Sequence, residues 1–326
     1  MKFRTDLRIS PFSFTIDHKK SIVLLGSCFS NNIGSKLKEH RFRTTINPHG
    51  IVFNPYSLAQ LICNATDGYN VDEELIIQTG SEFKSLIYHS DLSANSKEDL
   101  IQKIAVANVR LSLAIKNANS IFLTLGTSWV YNHISLNQIV SNCQKVPQKE
   151  FQKQLLCVSE IHGYLKKALS CIQKINTKAN IVLTISPVRH IKDGIVENQR
   201  SKSHLIAAVH KIVEENNNCF YFPSYEIAMD DLRDYRFYNK DLIHLNDQAV
   251  DYIWEKFGDA FFKTQTLENN KLIQKLNAAL GHRLLGADDD SKQKFISYSL
   301  KLCEQIEAEI GIELLKEKAH FENLTK

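Results

Sequence analysis

Ser21-Ile22-Val23-Leu24-Leu25-Gly26-Ser27-Cys28-Phe29-Ser30 is the stretch on which the fold turns. Ser21–Leu25 is an apolar run without alternation, the pattern of a strand covered on both faces. The periodic stretch Phe29–His40 reads as a helix that begins almost at once. A strand passing through Gly26-Ser27 into a helix sets the serine hydroxyl beside the positive end of the helix dipole. Backbone N–H groups at such a turn can stabilise an oxyanion, so Ser27 is a candidate nucleophile. A serine before a helix is also a common N-cap, and this is not the G-x-S-x-G elbow.

The same grammar recurs outward from this stretch. Ser120–Leu125 follows a helical pattern at Lys97–Asn117, Asn180–Ser186 follows one at Phe151–Ile175, and Cys219–Tyr225 follows one at Gln199–Glu215. Strands alternating with helices of this length predict a mainly parallel sheet in a three-layer α/β/α fold. Two segments interrupt the alternation: Glu74–Ser90 reads as a hairpin with Gly80 near its turn, and Tyr131–Val146 is polar and irregular. Insertions at the carboxyl ends of such strands usually build the site.

After about Phe262 the pattern changes. Lys263–Asn270 is polar, and helical patterns follow at Lys271–Leu280 and Asp290–Phe321, with a break at Gly281–Asp290 in which Gly281 ends the first helix. The reading is therefore a domain over 1–262 and a helical extension over 263–326. The extension is expected to supply no catalytic residue. Its apolar positions Phe295, Leu300 and Ile306 are expected to be shielded, on the domain or on a second copy of the chain.

Composition narrows the function classes. Forty Lys+Arg against thirty-six Asp+Glu leave a net charge of +4 over 326 residues, too little to imply nucleic acid. No apolar run approaches the roughly 20 residues of a membrane span. Charges at Lys2, Arg4, Asp6 and Arg8 leave no signal-peptide pattern, so a cytoplasmic protein is expected. The seven cysteines are odd in number, scattered and without a CxxC pair, which argues for buried thiols rather than a disulfide framework or a zinc site.

A second element of chemistry is Asp241-Leu242-Ile243-His244, after the last strand and before the helical pattern Asp247–Phe257. An Asp three residues before a His on a loop can orient the imidazole, whose other nitrogen then faces a serine.

The residues also carry a resemblance. Gly26-Ser27-Cys28-Phe29-Ser30 closely resembles the signature of the GSCFA-domain family, with Ser30 where Ala is usual. The likeness continues through Asn47-Pro48-His49-Gly50, Thr124–Tyr131, Ser141-Asn142-Cys143, Ser186–His190, Tyr221–Glu226, Asp230–Tyr238 and the Asp241–His244 segment. That family looks like a branch of the SGNH (GDSL-type) hydrolases. The resemblance implies Ser27 as nucleophile, His244 as general base and acid, and Asp241 as orienting carboxylate, with no metal or organic cofactor. It also implies an oxyanion hole formed by the Ser27 N–H, a glycine N–H and an asparagine side chain. Gly50 is the candidate glycine. The asparagine is missing from Gly126-Thr127-Ser128-Trp129, so Thr127, Ser128 or Asn142 must replace it.

Other residues have competing readings. Cys28 adjoins Ser27 at a helix N-terminus, which can lower a thiol pKa, or it packs beneath the site. His49, His89, His133, Arg189 and His190 fall in segments placed at the sheet rim; His49, His89 and Arg189 are candidate substrate contacts, and each is otherwise a loop residue bonding carbonyls. Asp230, Asp231, Asp234, Arg233 and Arg236 form a mixed charge run, either a solvated paired face or a support for the Asp241–His244 loop. The expected activity is a serine esterase that removes O-acyl groups from a carbohydrate or related small ester. The alternatives are an O-acyltransferase on a sugar and a catalytically weak carbohydrate-binding or assembly protein.

Overall fold

The strand that opens the fold, β1 (Ser21–Gly26), runs into α1 (Cys28–Glu39) and returns as β2 (Arg43–Ile46). The coordinates are a computed structural model describing residues 4–68, 71–282 and 288–324. Helix α2 (Pro55–Asp67) follows, then β3 (Ile76–Thr79), β4 (Glu82–Ser85), β5 (Ser93–Ala94) and α3 (Lys97–Asn117). Next come β6 (Ser120–Leu125), β7 (Trp129–His133), β8 (Gln138–Val140), β9 (Phe151–Leu155), α4 (Val158–Ile175), β10 (Asn180–Ile185) and α5 (Ile195–Glu215). Strand β11 (Cys219–Tyr221) leads to a single turn, α6 (Ser224–Glu226), which widens into π-helical geometry over Ile227–Leu232. Helices α7 (Asp247–Phe261), α8 (Thr264–Gly281), α9 (Asp289–Ile310) and α10 (Leu315–Asn323) complete the chain.

The central sheet has the order β11-β10-β6-β1-β2, and β1, β6, β10 and β11 pair in parallel. The fold is three-layer α/β with C-terminal helices, as the alternation predicts. The chain places β2 on one side of β1 and β6 on the other, so the order reverses between β1 and β6. A crevice at the carboxyl ends of such strands is where open α/β sheets bind ligands. Alternate strand residues Val23, Leu25, Ile121, Leu123, Ile181 and Leu183 form one core with α2, α3, α4 and α5. The intervening Ile22, Leu24, Phe122 and Val182 are buried as well. This is why the strands read as unbroken apolar runs.

Several sequence expectations are corrected. Residues 151–155 form β9 rather than the start of a helix, and Tyr131–Val146 is not irregular: β7 pairs with both β8 and β9 in an antiparallel sheet. The predicted hairpin is β3–β4, with Gly80 at φ +63°, and β5 adds a third strand. Helix α2 has no counterpart in the sequence reading, although Asn54 caps it, Pro55 opens it and Gly68 closes it at φ +73°. Its Cys63 forms a disulfide with Cys171 of α4, 108 residues away, because the two helices pack together. Disulfides persist mainly in oxidising compartments, so the cysteines do not support the cytosol. No described helix is long and apolar enough to cross a membrane.

The chain divides into two compact units, one of Met1–Arg8, Ser21–Gly34 and Thr44–Trp254, the other of Ile9–Lys20, Ser35–Arg43 and Glu255–Lys326. In the second, Ile273, Leu276, Leu302, Ile306, Ile310 and Phe321 join α8, α9 and α10 in one cluster. Ile306 is fully buried, and Phe295 and Leu300 pack half-buried against this cluster. The polar Lys263–Asn270 is helical from Thr264, since Thr266, Asn269 and Asn270 lie on the buried side of α8. Gly281 is the last residue of α8, and part of the expected break lies outside the described residues. The second expected helix is two: Gly311, at φ +75°, ends α9.

Candidate active site

The carboxyl ends of β1, β6 and β10 lie side by side, with Gly26 in register with Thr124 and Thr124 with Thr184. Each strand delivers a small residue to the rim: Ser27, Gly126 and Ser186. The Ser27 Oγ–H donates to Ser186 Oγ at 2.7 Å, and Ser27 is 1 % exposed. Its backbone N–H continues the ladder to the Thr124 carbonyl at 3.0 Å, so it is not free for an oxyanion. Cys28, the first residue of α1, is half-buried with a free thiol. Burial holds that thiol above its usual range, only partly offset by the Ser27 hydroxyl, the Cys28 and Phe29 N–H groups and the Lys202 ammonium.

The Asp241–His244 turn is built by its own backbone. Asp241 Oδ1 accepts the N–H groups of Ile243 and His244, at 2.9 and 3.0 Å, and Oδ2 meets His244 Nδ1 at 2.7 Å. The His244 contact and these two N–H bonds hold the Asp241 carboxyl down at about 2. Leu242 sits at φ +56°, a conformation that non-glycine residues adopt only when the surroundings impose it. Arg189 imposes it: its N–H bonds the Ile243 carbonyl at 3.2 Å and its Nη1 the Leu242 carbonyl at 3.1 Å. The turn is thereby fastened to the segment leaving β10. Among the described residues, no hydrogen bond joins His244 to Ser27.

Arg189 also stacks beside Tyr235 and Tyr238, 5.6 Å from each ring. These three line a cavity of about 210 Å³ with Ile195, Met229 and Arg233. Arg189 joins this cavity to the Asp241–His244 turn. The neighbouring charge run resolves mostly into local structure. Asp231 is buried and accepts the Tyr252 hydroxyl at 2.7 Å, with Arg4 at 3.5 Å, while Asp234 caps the turn at Arg236.

Among the expected oxyanion donors, the Gly50 N–H and the Thr127 and Ser128 groups are bonded within the fold. The Gly50 N–H bonds the Asn47 carbonyl at 2.8 Å, and Gly50 packs so closely on His89 that a Cβ would stand 2.4 Å from the His89 Cβ. Thr127 Oγ1 shares a hydrogen bond with Ser201 of α5, and the Ser128 N–H and hydroxyl also bond Ser201. The Asn142 N–H bonds the Leu86 carbonyl, and its Oδ1 accepts the Gln144 N–H. His89 pairs with Asp91 at 3.2 Å, and His133 stands edge-on to Phe151.

His49 lies in the core rather than at the rim. It is fully buried, stacked on Tyr88, and bonded through Nε2 to Asn108 at 2.7 Å. Burial lowers its pKa to about 4. The unfolded chain protonates this imidazole below about 6.5 while the fold keeps it neutral, so its stability contribution is full above that pH and lost as pH falls toward 4. The loss is about 3 kcal/mol by pH 4. Urea midpoints at pH 7 and pH 4.5 should fall steeply for the wild type and less for His49→Gln; equal slopes would contradict this.

Two site residues, Ser186 and Lys202, were given no role by the sequence reading, and a third, His190, only a place at the rim. Ser186 ends the β10 run, where only the strand order reveals that it faces Ser27. His190 was placed at the rim, and its buried Nε2 has no partner among the described residues; a Cβ on Gly126 would stand 2.9 Å from it. Burial lowers its pKa to about 3, so it is a neutral imidazole at the crevice. Lys202 is 1 % exposed, and its Nζ bonds the Gly126 and Ser186 carbonyls, each at 2.6 Å. A signal for it existed: Asn198, Ser201, Lys202, Leu205, Val209 and Ile212 follow the buried stripe of α5.

These elements define an α/β protein with an Asp–His pair and a strand-to-helix turn on the carboxyl rim of one parallel sheet. Residues 21–257 match the model of the GSCFA family, and the chain belongs to that family. No curated protein matches the chain.

Proposed function

We propose that the protein transfers acyl groups from small esters, as an esterase acting on O-acyl groups of a carbohydrate or related compound. The observation that carries this reading is the Asp241–His244 pair, bonded at 2.7 Å at the rim that also presents the Ser27–Cys28 turn. A carboxylate-oriented imidazole beside a hydroxyl or thiol is the arrangement that activates a nucleophile. In this reading a side chain of the turn attacks the carbonyl, its proton passes through His244 to the departing alcohol, and water later releases the acid. The carbohydrate preference rests on the resemblance to SGNH hydrolases. A sugar hydroxyl in place of water would make the same chemistry an O-acyltransferase.

A second reading, a binding or assembly protein with weak catalysis, is favoured by one observation: Ser27 is covered and its N–H is already bonded. A screen of p-nitrophenyl esters and acetylated sugars, run beside His244→Ala, separates the two. Turnover that disappears in the variant supports the esterase. Binding of acetylated sugars without turnover supports the second reading.

A further inference from the structure

The cavity that Arg189 joins to the Asp241–His244 turn is lined by three charged side chains, Arg189, Arg233 and Asp234. Arg233 stands 4.0 Å from Asp230, and Asp234 faces Arg236 at 3.8 Å. Arg189 has no carboxylate partner among the described residues. Its guanidinium gives one bond to the Leu242 carbonyl, at 3.1 Å, and stands 5.6 Å from the Tyr235 and Tyr238 rings. A guanidinium fork has further N–H groups to offer.

The neutral polar lining is biased the same way. Asn198 Oδ1 accepts the His190 N–H at 2.8 Å, and Gln199 Oε1 accepts the Tyr225 hydroxyl. Both amide oxygens are thus engaged, and among the described residues neither NH2 group has a hydrogen-bond partner. Ile195, Ala228 and Met229 supply apolar wall. Tyr235 is 62 % exposed, and its ring meets that of Tyr238 at 46°, with centroids 6.1 Å apart. Open ring faces of this kind pack against the C–H groups of another ring. The volume of about 210 Å³ is below the roughly 300–1,000 Å³ of drug-sized sites, room for a single ring.

We propose that this cavity is the subsite for a carboxylate-bearing sugar, so that the ester substrate is an O-acylated sugar acid rather than a neutral sugar. The proposal rests on the esterase reading above for its reaction and names the substrate class. The Arg189 fork receives the carboxylate, the tyrosines pack on the ring, and the Asn198 and Gln199 amides donate to its hydroxyl oxygens. Two arginines against one aspartate leave the lining with a single positive charge, the complement of a carboxylate and not of a phosphate dianion. Arg189 also holds the Leu242 and Ile243 carbonyls, so the group that receives the carboxylate is the one that fixes the loop of His244.

Binding tests this without turnover. In calorimetric titration, methyl glucuronide should bind the wild-type protein about tenfold more tightly than methyl glucoside, the same ring without the carboxylate. Added salt should shrink the difference. Arg189→Lys, which keeps the charge but not the fork, should lose most of the preference. Tyr235→Ala, at an exposed position, should weaken glucuronide binding about fivefold. Equal or absent binding of the two glycosides, tighter binding of methyl glucoside 6-phosphate or of hexanoate, or unchanged affinity in both folded variants overturns the proposal. Acetylated forms of both glycosides separate it from the esterase reading. Glucuronide binding with no hydrolysis of either ester keeps the subsite and defeats the esterase. Equal hydrolysis of both esters without preferential binding keeps the esterase and overturns the subsite.

Discussion

Gly26→Ala is expected to leave almost no folded protein, with a destabilisation on the order of 4 kcal/mol or more. Gly26 adopts φ +123°, and a Cβ built on it lies 2.1 Å from the Thr124 carbonyl oxygen and 2.8 Å from its carbon. Both atoms belong to the backbone of β6, which is buried in the centre of the sheet, so neither can retreat without breaking the pairing of β1 with β6. Gly68→Ala is the control. Gly68 also has positive φ, at +73°, but nothing lies within 4 Å of its added Cβ, so the cost is that of the left-handed backbone alone, about 1 kcal/mol. Chemical denaturation of both variants checks this. Comparable stability for the two would show that the β1–β6 approach does not constrain the turn.

His244→Ala is expected to lower kcat/KM for an activated ester by about 10³-fold or more, and Asp241→Asn by a similar or larger factor, through loss of the base and of its orientation. The thermal midpoint should barely move, because both side chains are roughly half-exposed, at 46 % and 45 %. Asp241 stays ionised down to about pH 2, so any fall in activity in mildly acidic buffer belongs to another group. Arg189→Leu should behave differently from either. It removes the clamp on the Leu242 carbonyl as well as a cavity wall, so it should raise KM and lower kcat together. Steady-state kinetics on one ester series resolves these patterns. An Asp241→Asn enzyme as fast as the wild type would remove the pair from the mechanism.

Much of the fold was legible because buried parallel strands leave an unmistakable trace. Ser21–Leu25, Ser120–Leu125 and Asn180–Ser186 are apolar on both faces, and each matches a strand of the sheet within a residue. The range of α3 was read without error, since Ser96 caps it and its polar and apolar positions alternate at helical spacing. Strand β9 carries no strand signal of its own, because Phe151–Leu155 alternates in burial only through its pairing with β7. The disulfide was illegible for a related reason: nothing local to Cys63 or Cys171 announces that α2 and α4 pack together.

For the site, the sequence by itself determined the local devices. A carboxylate three residues before a histidine is spaced to accept two backbone N–H groups of its own turn. A strand followed by Gly26-Ser27-Cys28 enters a helix at that point. Which groups face one another was decided only by the tertiary structure. Strand order sets Ser186 against Ser27, the packing of α5 carries Lys202 under Gly126, and burial turns His49 from a rim residue into part of the core. Local propensity acts over a few residues, whereas desolvation and donor competition depend on atoms brought together from strands and helices as far as 159 positions apart.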